Sequence, residues 1–284
     1  MKIILTGGEG QLGRELGQIF KEEGHTVLQY SKQQLDITDR NQIREILKKI
    51  EPELIINTAA FTKVDHCETE LEKAYLINGI GPYYLAVEAK KKNIKLFHIS
   101  TDYVFSGDKL SPYEEEDTPY PKTIYGKSKR LGEELALTAC ENITIIRTSW
   151  LYGHGGQNFV NTIKKLSNQL GEIRVVNDQY GCPTYTKDLG IVIKELITRP
   201  PGIYHVTNSG SCSWFEFARE IIKLLKKQTK IIPVSTEEYG LKTQRPFYSV
   251  LSNKKLNSFD IKTRNWKEGL QEYLKKECAD KNED

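Results

Sequence analysis

Met1-Lys2-Ile3-Ile4-Leu5-Thr6-Gly7-Gly8-Glu9-Gly10-Gln11-Leu12-Gly13 opens the chain. A short apolar strand, Lys2–Thr6, runs straight into a cluster of glycines, and helical periodicity follows from Gln11 to Glu23. Gly8-x-Gly10-x-x-Gly13 matches the dinucleotide fingerprint, and Gly7-x-x-Gly10-x-x-Gly13 matches a variant with a wider first gap. Glycines there allow a tight turn, close approach of backbone to a pyrophosphate, and close strand–helix packing. The start of the helix adds free N–H groups and a positive dipole end.

The pattern repeats outward from this turn. Strands are predicted at Thr26–Tyr30, Glu53–Thr58, Lys95–Ser100 and Ile143–Thr148. Helices are predicted at Arg40–Ile50, at Glu68–Lys92 with an interruption near Gly79-Ile80-Gly81-Pro82, and at Lys127–Cys140. The strands are near-continuous apolar runs, which suits a parallel sheet covered on both faces. The expected fold is α/β: a Rossmann-type doubly wound parallel sheet with a smaller C-terminal substrate-binding domain. Residues 1–150, with about 184–208 returning to the sheet, are assigned to the nucleotide-binding unit, and 151–183 with 209–284 to the smaller one. Ser213-Trp214-Phe215-Glu216 has the pattern of a capping box. The polar tail Lys275–Asp284 is expected to fray.

Composition narrows the partners. The 41 basic and 38 acidic side chains leave a net charge of +3 over 284 residues, so there is no electrostatic case for nucleic acid or an anionic membrane. No apolar run is long enough to span a bilayer. The N-terminus lacks the regions of a signal peptide. Five scattered cysteines, Cys67, Cys140, Cys182, Cys212 and Cys278, form no Cys-x-x-Cys pair, which points to reduced thiols in a cytoplasmic protein without a zinc knuckle.

An NAD-type site wants an acid at the end of the second strand to bind the ribose 2′-hydroxyl. Here the strand ends in Gln29-Tyr30-Ser31-Lys32-Gln33. Ser31 and Lys32 favour, or at least tolerate, a 2′-phosphate and hence NADPH. Asp36, followed by Ile37, is better placed for adenine. Further along, Tyr125-Gly126-Lys127-Ser128-Lys129 puts Tyr125 and Lys129 on one helix face. Free tyrosine has a pKa near 10, and an adjacent ammonium is expected to lower it. Thr101, in His98-Ile99-Ser100-Thr101-Asp102, falls at a carboxyl strand end, where open α/β sheets bind ligands. Its hydroxyl is suited to hold a substrate carbonyl beside the tyrosine.

These residues resemble the extended short-chain dehydrogenase/reductases, and within them the dTDP-4-dehydrorhamnose reductase group. The likeness covers nearly the whole chain. It is carried by Gly7–Gly13, by Asn57-Thr58-Ala59-Ala60-Phe61-Thr62-Lys63-Val64-Asp65, by Ser100-Thr101-Asp102-Tyr103-Val104-Phe105 and by Tyr125–Lys129. Arg147–Gly153 and Asn177–Thr184 complete it. The resemblance implies NADPH-dependent reduction of the C4 ketone of a dTDP-4-dehydro-6-deoxy sugar, the last step of dTDP-rhamnose synthesis, with NADH also accepted in the family. It implies Tyr125 as proton donor, Lys129 on the nicotinamide ribose and Thr101 on the carbonyl oxygen. Gly7, Gly10, Gln11, Leu12, Gly13, Ser31, Lys32, Asp36, Ile37, Ala59, Ala60 and Thr62 would join Tyr125 and Lys129 around the cofactor. Val64, Asp65, Asp102 and Trp150 would line the sugar site, Trp150 by packing on the sugar face. Some members are described as magnesium-linked dimers. Glu15 fits one such position, but Lys187 stands where a second acid is sought, so magnesium and a homodimer stay open.

Two alternatives remain. One is another sugar-nucleotide epimerase or reductase on the same fold. The other is a non-catalytic dinucleotide-binding subunit of the kind that regulates methionine adenosyltransferase. Retention of Thr101, Tyr125 and Lys129 together weighs against the second.

Overall fold

A computed structural model describes residues 1–240 and 243–279. Its centre is a six-stranded parallel sheet. In chain order the strands are β1 (Lys2–Thr6), β2 (Thr26–Tyr30), β3 (Leu54–Asn57), β4 (Lys95–Thr101), β5 (Ile143–Thr148) and a sixth at Gly202–His205. In space the order is sixth, β5, β4, β3, β1, β2. The chain therefore reverses its direction of travel across the sheet between β1 and β3. That is the switch point at which such sheets bind ligands.

Successive residues of each strand face opposite layers, and both layers are filled. Ile3 and Leu5 pack with Leu12, Leu16 and Phe20 of helix α1 (Gln11–Glu22) and with Leu189 and Ile193. Ile4 packs on the other side with Ile43 and Leu47 of helix α2 (Arg40–Ile50) and with Leu85 and Ala89. Burial on both faces is why β1, β3 and β5 read as apolar runs rather than as alternations.

Three local expectations need correction. The segment expected to break near Gly79–Pro82 is continuous. Helix Leu71–Tyr75 widens into a π-helical turn at Leu76–Ile80 and proceeds directly into Gly81–Lys91. Pro82 lies in the first turn of that last stretch. The wide turn accommodates its missing N–H. The helix carrying Tyr125 starts at Ile124, earlier than the predicted Lys127, because the Thr123 hydroxyl accepts the Gly126 N–H at 3.0 Å and caps it. Lys275–Ala279, expected to fray, belongs to helix Trp266–Ala279. Residues 280–284 and the Cys278 side chain lie outside what is described.

The smaller part of the molecule sits over the carboxyl ends of the strands. Helices Phe159–Ser167 and Trp214–Leu224 pack on the parallel pair Glu172–Val176 and Lys230–Val234, and helix Trp266–Ala279 packs on the Trp214 helix. Tyr152, Val160, Phe217, Trp266, Leu270 and Tyr273 form its core. Ser213 and Glu216 make the reciprocal capping box at the start of the Trp214 helix.

Candidate active site

A cleft of about 520 Å³ lies at the switch point between the sheet and the smaller part. Gly10, Gln11, Leu12 and Gly13 form one wall. Gly7 has φ +65°, a conformation that L side chains resist, and a Cβ there would meet Ala59 N at 2.8 Å. A Cβ on Gly13 would sit 2.4 Å from Gly7 O. Gly10 caps α1 without any side-chain hydrogen bond, and the first turn carries no acid. Its leading N–H groups and positive dipole end thus face the cleft with no internal anion to satisfy them. This cradle fits a pyrophosphate, and with it a dinucleotide cofactor.

The opposite wall holds the proton-handling groups. Thr101 and Asp102 come from the end of β4, Tyr125 and Lys129 from the Ile124–Ala139 helix, and Val64, Ala60 and Thr62 from the segment after β3. The Thr101 hydroxyl donates to Asp102 Oδ1 at 3.0 Å and is hydrogen-bonded to Tyr125. Lys129 is buried. Its Nζ donates to the Ile99 carbonyl at 2.5 Å and lies 3.3 Å from His98 Nε2. The structure thus brings Thr101, Tyr125 and Lys129 into one cleft with the α1 N-terminus.

One electrostatic expectation reverses. Burial pushes the Tyr125 hydroxyl well above the ordinary tyrosine value, and the hydrogen bond to Thr101 opposes it. Asp102 and Tyr103 push in the same direction as burial. Lys129 is spent on His98 and Ile99 rather than on the phenol. Burial also lifts the Asp102 carboxyl to about 6, with hydrogen bonds from Ser249 and Thr101 pulling the other way.

The remaining candidates fall in different places. Ser31, Lys32, Asp36, Ile37 and Ala59 lie outside the cleft lining. Ser31 is buried, while Lys32 is exposed and 4.0 Å from Asp36. Asp36 Oδ1 accepts from the Thr38 amide and hydroxyl. Ile37 is packed in the core against Gly81. The Ala59 amide donates to Asn57 Oδ1. Asp65 is half exposed and forms an ion pair with Arg245 at 2.8 Å. Trp150 does line the cleft, with φ +46°, but one face of its indole is stacked on Trp214 at a centroid separation of 3.4 Å and 6° between planes. A Cβ on Gly181 would lie 2.4 Å from the Trp150 ring.

Trp214 and Arg245 escaped the sequence reading. In the sequence Trp214 carries only the signal of a first helical residue behind Ser213. Arg245 touches Asp65 and is hydrogen-bonded to Tyr103, and its Nη1 is buried with no hydrogen-bond partner. The Arg245-Pro246 pair carried no motif to mark it.

The magnesium position does not fit a metal. Glu15 is flanked by the ammonium groups of Lys276 and Lys187, lies near His154, and is hydrogen-bonded to Thr186. Lys187 is itself bound to Glu272 at 2.7 Å. Among the described residues no group of three or more acids, histidines or cysteines is placed to hold a metal, and no helix is long and apolar enough to cross a membrane.

Comparison with known proteins places these features in context. The model of the RmlD substrate binding domain matches residues 1–278. The spore coat polysaccharide biosynthesis protein SpsK of Bacillus subtilis is 52% identical, covering 98% of each chain. A dTDP-4-dehydrorhamnose reductase of Aggregatibacter actinomycetemcomitans is 37% identical over 95% of this chain and 97% of its own. A crystal structure of dTDP-4-dehydrorhamnose reductase from Bacillus anthracis in complex with NADP superposes with a TM-score of 0.95 at 42% identity, covering 97% of this chain and 99% of that one.

Proposed function

The chain belongs to the RmlD substrate binding domain family of extended short-chain reductases, and from that membership we propose the reaction and the role of each residue. The protein is an NADPH-dependent reductase that converts the C4 ketone of dTDP-4-dehydro-6-deoxy-L-mannose to the alcohol of dTDP-L-rhamnose. The observation that carries this reading is the convergence of Thr101, Tyr125 and Lys129 with the uncapped start of α1 on one cleft.

The residues divide the work. The N–H groups at Gln11 and Leu12 hold the pyrophosphate, with Gly7, Gly10 and Gly13 giving room for it. NADPH, when bound, supplies the hydride. Thr101 orients the carbonyl oxygen, and Tyr125 donates its proton to the alkoxide that forms. A phenol whose proton is held firmly by burial is in the state a reductase needs before hydride arrives. Lys129 positions the nicotinamide ribose and returns a proton to Tyr125. Val64, Asp102 and Trp150 shape the sugar pocket. Asp65 sets its outer edge through Arg245. Ala59, Ala60 and Thr62 back the cofactor, while Ser31, Lys32, Asp36 and Ile37 serve its adenosine end.

The same reading puts the enzyme in the cytoplasm, where the buried free thiols of Cys67, Cys140, Cys182 and Cys212 stay reduced.

Substrate-dependent NADPH oxidation against a panel of dTDP- and UDP-4-keto sugars tests the assignment. Turnover is expected with the dTDP-linked 6-deoxy-4-keto sugar. Tyr125→Phe should lose about 10²–10⁴-fold in kcat while binding NADPH as before. Unchanged turnover in that variant overturns the role given to Tyr125.

A further inference from the structure

Gln29 lies on β2, outside the cleft, and the reaction above gives it no role. Its side chain nevertheless reaches back under the glycine turn. Gln29 Nε2 donates to the Gly13 carbonyl at 3.1 Å and to the Gly8 carbonyl at 3.3 Å. Gln29 Oε1 accepts from Lys21 Nζ at 3.0 Å. The Gly8 amide is itself tied to the Tyr30 carbonyl at 2.9 Å. β2 therefore holds the start of the turn through its backbone, and both sides of the turn through this one side chain.

The orientation of the amide follows from its partners. Backbone carbonyls only accept and an ammonium only donates, so the NH₂ end faces the two glycines and the oxygen faces Lys21. Both N–H donors are used, one on each side of the turn. Gly8 and Gly13 are the first and last glycines of the Gly8-x-Gly10-x-x-Gly13 fingerprint, and Gln11 and Leu12 lie between them. Fixing the separation of Gly8 and Gly13 fixes the direction in which the Gln11 and Leu12 amides point.

A second observation leads to the same contact. Gly17 lies in the interior of α1, outside the fingerprint, where glycine costs stability relative to alanine. A Cβ on Gly17 would meet Gln29 Cδ and Nε2 at 2.4 Å and Gln29 Oε1 at 2.5 Å. The three atoms nearest to that Cβ all belong to the Gln29 amide. A Cβ on Gly8 would meet Gln29 Cβ at 2.7 Å. Both glycines leave the room that the Gln29 side chain fills.

We propose that Gln29 is a positioning residue for the cofactor: seated in the gap left by Gly17 and oriented by Lys21, its amide clamps the two sides of the glycine turn in the geometry that receives a pyrophosphate. The clamp acts on dinucleotide binding and not on Thr101, Tyr125 and Lys129, which come from other elements across the cleft. The inference rests on the cofactor-holding role given to the turn.

A double-mutant cycle tests it. Gln29→Met keeps the length of the side chain and removes both donors. NADPH affinity, read from its fluorescence on titration, should fall about tenfold, with kcat at saturating NADPH and KM for the sugar nucleotide unchanged. Gly17→Ala pushes the amide from its seat and should produce the same loss, but no further loss on top of Gln29→Ala. Unchanged NADPH affinity in a folded Gln29→Met protein overturns the proposal, as does a fall in kcat in step with affinity. Urea unfolding without cofactor gives an independent readout. With Gln29→Ala in place, Gly17→Ala brings only a gain in helix propensity and should raise the midpoint; in the wild type the displaced amide should cancel that gain. Equal shifts in the two backgrounds overturn the clamp. If the wild-type protein binds no NADPH, the cofactor role of the turn fails, while the urea cycle still decides whether Gln29 holds it.

Discussion

Glu133 and Arg147 form a doubly hydrogen-bonded ion pair, with Arg147 Nε to Glu133 Oε1 at 2.9 Å and Nη2 to Oε2 at 2.8 Å, and neither side chain is more than 1% exposed. Arg147 belongs to β5 and Glu133 to the helix that carries Tyr125 and Lys129. The pair therefore fixes the helix against the sheet one turn beyond Lys129. It keeps the Glu133 carboxyl below the ordinary carboxylate range despite a large opposing effect of burial.

Removing one partner leaves the other charge buried and uncompensated. Glu133→Gln should cost about 3–5 kcal/mol, read as a lower urea midpoint at unchanged slope. Replacing both residues with apolar ones of similar volume should cost much less. A single variant as stable as the native protein would show that water reaches the site.

The cradle makes a sharper prediction for cofactor than for fold. In Gly13→Ala the new Cβ would lie 2.4 Å from Gly7 O and 2.8 Å from Gly8 Cα, both backbone atoms that cannot swing aside. The turn has to open. NADPH affinity, measured by its fluorescence on titration, should fall about tenfold or more, equivalent to 1.4 kcal/mol or above.

Asp102 predicts a pH dependence of stability. Its folded pKa of about 6 lies above the ordinary 3.8, so the folded state binds the proton more tightly than the unfolded one. Its contribution is fully present below pH 3.8, declines through pH 4–6, and is lost above about pH 6. Asp102→Asn removes that loss and should raise Tm at pH 8, by a free energy of order 2–3 kcal/mol, with little gain at pH 4. The variant should also bind the sugar nucleotide less well.

Trp214 supports Trp150 by stacking, and a ring pair of this kind is worth about 0.5–1.5 kcal/mol beyond its buried area. Trp214→Ala frees the Trp150 indole. KM for the sugar nucleotide should rise by up to about tenfold while NADPH affinity stays the same. A parallel loss of cofactor affinity would place Trp214 on the wrong side of the cleft.

Much of the candidate site was legible because its residues are local in the chain. The glycine turn, the Tyr125–Lys129 helix face and the Thr101 strand end each lie within one element, and their residue types follow from what that element must do. Trp214 and Arg245 were not legible as parts of the candidate site. Each reaches it through a partner far away in the chain: Trp150 for Trp214, Asp65 for Arg245. The helix break expected at Gly79–Pro82 was wrong for a related reason, since close packing of the Asn78 carbonyl against Gly132 rewards a continuous, widened helix.

By itself the sequence determined the doubly wound sheet and the two halves of the cleft, because apolar runs, glycine spacing and helix periodicity are short-range properties of a chain. Only the tertiary structure decided the protonation of the groups inside. Burial holds the proton on Tyr125, against the drop that an adjacent ammonium was expected to cause. The hydrogen-bond partners of Lys129, from β4, are chosen by how strand and helix pack and not by their separation in sequence. Desolvation and donor–acceptor matching depend on every neighbour in space, and those neighbours exist only once the chain has folded.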